Sequence, residues 1–487
     1  MKTYKLLLIS LVLLLGSCTK DLISVDYSEI NPNIFPKSAA DLEAMVNAAY
    51  HPLRGAYGDG IHSTSEQGIM FLSDATTETL HGKYGDQLLA SLHNYRPTDA
   101  LFTHWYDDYY NKISRMTVTI DLISQSTLSE DLKRKAIAEV RCARGILAYT
   151  LFDLYGPIVI APLEILKDPL KEEPLARLSK EEMVTFIEAD LVAAAKDLPA
   201  PGAAEYGRFN KALAKMVLIR LNLHEKKWDK VLTLSNEIIA YNYYSLDPDY
   251  VGMWNLEGAK NSREVIWAIP CDYAGTSENQ WQLMVLPAVF SPKGGFGTIQ
   301  STWWFYDTFE STDVRKTMLI SEFTGTDGIT YNRSNPGDLM DWGPIPLKIN
   351  PDAARTTGLT TVDIIMYRYA DVLLSKAEAI ANAGGPNTEA MNLVNVVRTR
   401  AKLANKQLAD FSSLSAFNDL ILTERSHEFW CENGQYRADL IRHGKFVSRA
   451  REVKKSTYTA DYKVLFPFSL RAVSEGKGKF IQNSGYN

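Results

Sequence analysis

Cysteine is scarce in this chain: four residues in 487, at positions 18, 142, 271 and 431. None forms a C-x-x-C pair or a zinc-type spacing, which excludes a disulfide framework, a zinc ribbon and a thioredoxin-like redox centre. Long apolar runs are also missing. The greasiest stretch, Leu6 to Leu15, is about half the length a membrane-spanning helix needs. Charge of one sign is not in excess either: 52 Lys+Arg stand against 58 Asp+Glu, a formal charge of −6, so no nucleic-acid partner held by bulk charge is expected. No H-E-x-x-H, G-x-S-x-G or G-x-x-x-x-G-K-[ST] occurs. The eight histidines are scattered, none at ligand spacing to a second His or a Cys. "GGFG" at Gly294 to Gly297 lacks the third glycine and the following helix of a phosphate cradle, and reads as a flexible loop. No EF-hand pattern is present, and a structural Ca2+ held by loop carbonyls leaves no trace in a sequence. No cofactor and no metal is therefore expected.

What is present is an ordinary globular composition, 46% hydrophobic and 23% charged, long enough for a large core or several domains. Aromatics are plentiful: 25 Tyr, 18 Phe and 9 Trp. Most such residues build core; some serve as binding platforms, and their placement separates the two roles.

The N-terminus reads as a targeting signal. Lys2 and Lys5 give a positive start, Leu6 to Leu15 an apolar segment, and Gly16-Ser17 the small residues that precede a cut. Cys18 directly after them makes the stretch resemble the lipobox of bacterial lipoproteins, in which the cysteine becomes the acylated first residue of the mature chain; the alternative is an ordinary signal with a chance cysteine. Residues 1–17 are thus expected to be a lipoprotein signal peptide, and Cys18 a lipid anchor whose several acyl chains hold the protein to a membrane. The mature chain carries 50 Lys+Arg against 58 Asp+Glu, a charge of −8. Lys20-Asp21 resembles the short charged tag of lipoproteins exported to the cell surface in Bacteroidetes. The other three cysteines, odd in number, read as buried thiols.

The body is mainly α. In "EVRCARGILAYTLFDLYGPI", Leu147, Leu151, Leu154 and Tyr155 fall on one helical stripe that Gly156-Pro157 ends. Leu213, Val217 and Leu221 form a second stripe. After the polar turn "HEKKW", Trp228, Val231, Leu232, Ser235 and Ile239 form a third. A further pair turns at Gly384-Gly385-Pro386, where Asn387 or Thr388 caps the second helix, and an earlier pair is predicted over about 103–123 and 130–154. Helix pairs of this length, with small contact residues such as Ala377 and Ala381, resemble tetratricopeptide units. The fold expected is one domain, 18–487. Its tetratricopeptide-like helical-hairpin scaffold covers about 36–50, 103–260 and 362–445, and long loop-rich insertions at about 51–102 and 273–346 form a ligand face.

Chemistry for catalysis is thin. Acids such as Asp74, Glu78, Asp107 and Asp108 could in principle form a glycosidase pair, but the sequence gives no separation between them. The densest charged stretch, "TERSHEFWCENGQYRADLIRHGKF", places Glu424, Arg425, Glu428, Arg437, Asp439 and Arg442 among Phe429, Trp430 and Leu440. Bidentate arginine–carboxylate pairs that fix how helices meet are the expectation there.

That run, "ER-x-x-EF…Y-R-x-DLIR-x-GK", resembles the C-terminal signature of the SusD/RagB family. "RG-x-x-x-Y-x-x-x-x-x-YGPI" from Arg144, "WWFYDTFESTDVRK", "YRYADVLLSKAEA" from Tyr367, "VNVVRTRAKL" and the closing "LFPFSLRAV…FIQNSGYN" resemble its other blocks, in order. Thr117 departs from an asparagine usual near that point. The resemblance implies a cell-surface lipoprotein of the outer membrane that binds glycan without altering it. Its helices would seat it on a SusC-type TonB-dependent transporter, with the loop-rich face holding the ligand. A family member binding peptide or another nutrient is the second reading, and a hydrolase the third. Sugar rings offer an apolar C–H face and a hydroxyl rim, which flat aromatics and Asn, Gln, Asp or Arg satisfy. The candidate ligand residues are Tyr84, Asp86, Asn94, Tyr273, Asn279, Gln280, Trp281, Gln282, Trp303 and Trp342; of Trp303 and Trp304, at least one is expected in the core.

Overall fold

The computed structural model describes residues 35–54, 60–65, 68–171, 173–272, 279–290, 294–350 and 359–486. Cys18 and residues 1–17, expected to be a signal peptide, lie outside the described residues, as does Tyr273.

The chain is mainly helical. The scaffold helices are α1 (Ala39–Tyr50), α2 (Ala100–Gln125), α3 (Glu130–Tyr155), α4 (Lys180–Asp197), α5 (Lys211–His224), α6 (Trp228–Ile239), α7 (Tyr369–Gly384), α8 (Thr388–Arg400), α9 (Leu414–Phe429), α10 (Gln435–Arg442) and α11 (Phe446–Lys454). From α2 to α8 each helix packs on the next, α6 meeting α7 across a long intervening segment of chain; α1 leans on α3 and α9 on α7.

Local chemistry sets these ends. Ser179 and Glu182 close a reciprocal capping box on α4, Asn210 caps α5 by accepting from Ala212 N and Leu213 N, and Asn387 caps α8 by accepting from Ala390 N. Each cap satisfies backbone N–H groups that a helix start leaves open. Two of the predicted stripes are buried faces, with Leu147, Leu151, Leu154, Tyr155, Leu213, Val217 and Leu221 all inside; in the third, Val231 and Ser235 are buried while Trp228, Leu232 and Ile239 are partly buried. Gly145 lets α3 and α4 approach closely, since a Cβ there would stand 2.8 Å from the Leu191 side chain.

Among the described residues, eight short strands form four two-stranded antiparallel ladders. β1 (Leu80–Gly82) pairs with β3 (Ile299–Ser301), β2 (Val265–Ile269) with β8 (Ile364–Arg368), β4 (Leu319–Ile320) with β7 (Ile345–Pro346), and β5 (Glu322–Thr324) with β6 (Thr330–Asn332). The first ladder joins the two insertions across more than two hundred residues of chain.

Charge and aromatics lock the pieces together. Arg368, fully buried, donates from Nε to Glu432 Oε2 at 2.8 Å and from Nη1 to Glu428 Oε1 at 2.8 Å, and it also binds Glu264. Arg425 bridges Asp439 at 2.7 Å and Asp371 at 2.9 Å, and Arg442 grips Glu378 at 2.7 and 2.8 Å. The charged C-terminal run is thus an interior clamp between α7, α9 and α10, and attraction from the arginines holds the Glu428 and Glu378 carboxyls well below the usual range. The closing block works likewise: Phe466 and Phe468 sit among Tyr95, Phe102, Tyr106 and Tyr155, and Asn483 Nδ2 donates to Tyr155 O at 3.0 Å and Phe466 O at 2.8 Å. At the departure from the family pattern, Thr117 Oγ1 accepts from Arg144 Nη1 at 2.7 Å.

Candidate ligand face

The β1–β3 ladder sets His81 opposite Gln300, and from that pairing an aromatic ridge is built. The Gln300 carboxamide is buried and fully engaged. Its Oε1 accepts from Trp342 N at 2.8 Å and Gly343 N at 3.1 Å; its Nε2 donates to Asp341 Oδ1 at 2.9 Å and Asp338 O at 3.2 Å. One side chain therefore holds the 338–343 loop. Gly343 completes the fit, because a Cβ there would stand 2.3 Å from Ser301 O.

Held in this way, the half-buried Trp342 lies flat on His81, ring centroids 3.6 Å apart and planes 13° apart. His81 is wholly buried and neither ring nitrogen has a hydrogen-bond partner. Burial first, then Lys454 and Lys83 nearby, push its pKa down to about 2, so it stays a neutral supporting plate.

Trp303 stands beside Trp342: its backbone N–H donates to Trp342 O at 2.9 Å and its indole N–H to Met340 O at 3.1 Å. Thr302 caps the short helix Trp303–Thr308 by accepting from Phe305 N at 3.1 Å. Tyr306 meets the Trp303 ring edge-on at 5.6 Å, and Arg333, held by Asp307 at 2.8 and 2.9 Å, lies 5.0 Å from that ring. Trp304 turns towards the main core and under Arg449, 4.5 Å from its ring.

At the other end, Lys83 Nζ sits 3.5 Å from Asp341 and 5.4 Å from the Tyr84 ring. Tyr84 is 57% exposed at the start of the short helix Gly85–Ser91, and Asp86 is exposed in its first turn. Asn94, half-buried, follows that helix and donates its backbone N–H to Leu89 O at 2.8 Å.

The remaining candidates occupy the interior. Trp281 has no exposed surface and its indole N–H donates to Pro346 O at 2.9 Å. Asn279 Nδ2 donates to Val362 O at 2.9 Å, Gln280 N to Thr64 Oγ1 at 2.7 Å, and Gln282 Nε2 to Asn350 O at 2.9 Å. These side chains and backbone groups tie the start of the second insertion to Thr64, Pro346, Asn350 and Val362. The acids weighed as a hydrolytic pair are also placed: Asp74 binds Cys431 N, and Glu78 accepts from Tyr436 OH at 2.6 Å. Both are buried and their carboxyls are raised by desolvation. Asp107 accepts from Ser469 Oγ at 2.9 Å. Among the described residues no group of three or more His, Cys, Asp or Glu can hold a metal ion, and no helix is long and apolar enough to cross a membrane.

Residue-by-residue reading missed Gln300, His81, Asp341, Lys83 and Arg333. The tie between the two insertions, which gives four of them their roles, has no local signature.

A helical-repeat scaffold carrying an open aromatic ridge defines a binding protein. Two family models match the chain: "SusD family" over residues 330–477, and "Starch-binding associating with outer membrane" over residues 26–223. The chain is 22% identical to SusD-like protein P25 of Formosa agariphila, over 93% of each chain. It superposes on a SusD superfamily protein from Bacteroides vulgatus with a TM-score of 0.77 at 19% identity, covering 93% of this chain and 100% of that one. On surface glycan-binding protein A from Bacteroides thetaiotaomicron, solved with laminarihexaose, the TM-score is 0.73 at 19% identity, covering 91% and 98%. The chain belongs to the SusD/RagB family, a family of binding proteins rather than catalysts.

Proposed function

We propose that this protein captures glycan at the outer surface of the cell and passes it, chemically unchanged, to a SusC-type TonB-dependent transporter. Tyr84, Trp342 and Trp303 form the platform, with Asp86 and Asp341 accepting from ligand hydroxyls. The observation that carries the reading is the pair Trp342 and Trp303: Gln300 holds the loop of the first, and the second, at the start of the short helix Trp303–Thr308, donates its backbone N–H to Trp342 O. An aromatic fixed before binding loses little entropy on contact. An open ridge also suits a polymer that continues past the site at both ends. Cys18, through several acyl chains, anchors the mature chain 18–487 to the outer membrane with this ridge facing outward. The helical scaffold meets the transporter.

The test is uptake in the native cell. Cells carrying the wild-type chain bind fluorescent neutral polysaccharide at their surface and consume it. Cells carrying Cys18→Ala lose surface binding, and cells carrying Trp303→Ala with Trp342→Ala keep the protein at the membrane but lose binding. Undiminished surface binding with both tryptophans removed contradicts the reading.

A further inference from the structure

The two insertions are electrically unlike the rest of the chain. Residues 51–102 and 273–346 hold seven Lys and Arg against fourteen Asp and Glu, while the remainder of the sequence is balanced, 45 against 44. The imbalance reaches the ridge itself. Lys83, with only 7% of its side chain exposed, is bound by Asp341, and Arg333 is bound bidentate by Asp307. Lys316, 4.2 Å from the Tyr306 ring, donates to Phe309 O at 3.2 Å, and Arg449, at Trp304, lies 3.6 Å from both Glu78 and Glu452. Exposed Asp86, Asp338 and Asp341 flank Tyr84 and Trp342.

From this distribution we infer that the ridge selects uncharged, hydroxyl-rich chains and rejects polyanions such as uronate or sulfated polymers. The inference rests on the glycan reading above. Ionised carboxylates only accept hydrogen bonds, so the rim needs a ligand that donates, and hydroxyl groups donate. Uronate and sulfate groups only accept. They would meet like charge within a Debye length, about 10 Å at 0.1 M salt, with the cations beside the tryptophans already neutralised by a carboxylate or turned to a backbone carbonyl.

The experiment is affinity electrophoresis of the mature chain in detergent. The gels contain amylopectin, laminarin, xyloglucan or galactomannan as neutral polymers, and polygalacturonate, alginate or carrageenan as polyanions, each at low and at physiological salt. Expected is retardation by at least one neutral polymer, insensitive to salt, and none by any polyanion. Asp86→Lys combined with Asp338→Lys, both exposed and outside the core, should gain retardation by a polyanion at low salt, by about tenfold or more in apparent affinity. Wild-type retardation by a polyanion as strong as by any neutral polymer overturns the inference and leaves the glycan reading standing. A double variant that folds but gains nothing overturns the charge argument. Absence of retardation by every polymer overturns the glycan reading and this inference with it.

Discussion

His81 and Trp342 stack face to face at 3.6 Å although they belong to different insertions. The histidine ring is neutral and makes no hydrogen bond, so the ring contributes shape alone. His81→Phe should keep ligand affinity within about twofold and leave binding flat between about pH 5 and 8. Trp342→Ala should weaken binding by about fivefold or more, since aromatic stacking contributes about 1 kcal/mol beyond the area it covers. Calorimetric titration against the best polymer checks both.

Gln300 touches no ligand in this account, yet it holds Trp342 N, Gly343 N, Asp338 O and Asp341 Oδ1. Gln300→Ala should lower affinity and speed amide exchange at residues 342–343, with a stability loss of about 1–3 kcal/mol for the unsatisfied groups left behind. Gln300→Glu should fare no better, because a second carboxylate then faces Asp341. Hydrogen exchange with mass spectrometry separates this loosening from a lost contact.

Arg368 pairs with Glu264, Glu428 and Glu432 inside the protein, sharing them with Arg400, Arg315 and Lys348. Arg368→Met should cost about 3–5 kcal/mol by stranding buried carboxylates. Glu428 is held far below 4.5 in the folded chain, so its share of stability is complete above pH 4.5 and disappears as the pH falls through the folded value. The gap between wild type and variant in urea unfolding should therefore be full at pH 7 and narrow below pH 4.5.

Lys454 is buried beneath β1 with Nζ donating to Leu80 O, and desolvation lowers its pKa from 10.5 to about 7. Between those values the unfolded chain binds more protons than the folded one. Stability should rise with pH across this window by about 1 kcal/mol per pH unit from this group. Lys454→Met should remove that slope, which melting curves between about pH 7 and 9 would show.

Much of this is legible in the sequence, for physical reasons that differ from residue to residue. The stripes through Leu147 to Tyr155 and Leu213 to Leu221 follow from helical geometry and cannot be hidden by distant contacts. Asn387 and Gly385 mark a helical turn by local chemistry alone. The ligand face is different. Trp281 and Trp342 look alike as text, aromatic residues among polar ones in irregular segments. Trp281 is inside because its indole N–H and the neighbouring Asn279 and Gln282 amides meet backbone carbonyls at 346, 362 and 350. Trp342 stays half-exposed because Gln300 and His81 hold it from one side. Cross-strand register sets that difference, and register between residues 80–82 and 299–301 is not written in either segment by itself.

The central claim is that the Trp303–Trp342 ridge binds a glycan and leaves every glycosidic bond intact. Isothermal titration of the mature chain with the retained neutral polysaccharide, followed by a reducing-end assay on the same sample, tests it most directly. Saturable heat is expected for the wild type, its loss in Trp303→Ala with Trp342→Ala, and no new reducing ends. Unchanged binding by that folded double variant, or steady release of reducing sugar by the wild type, would contradict it.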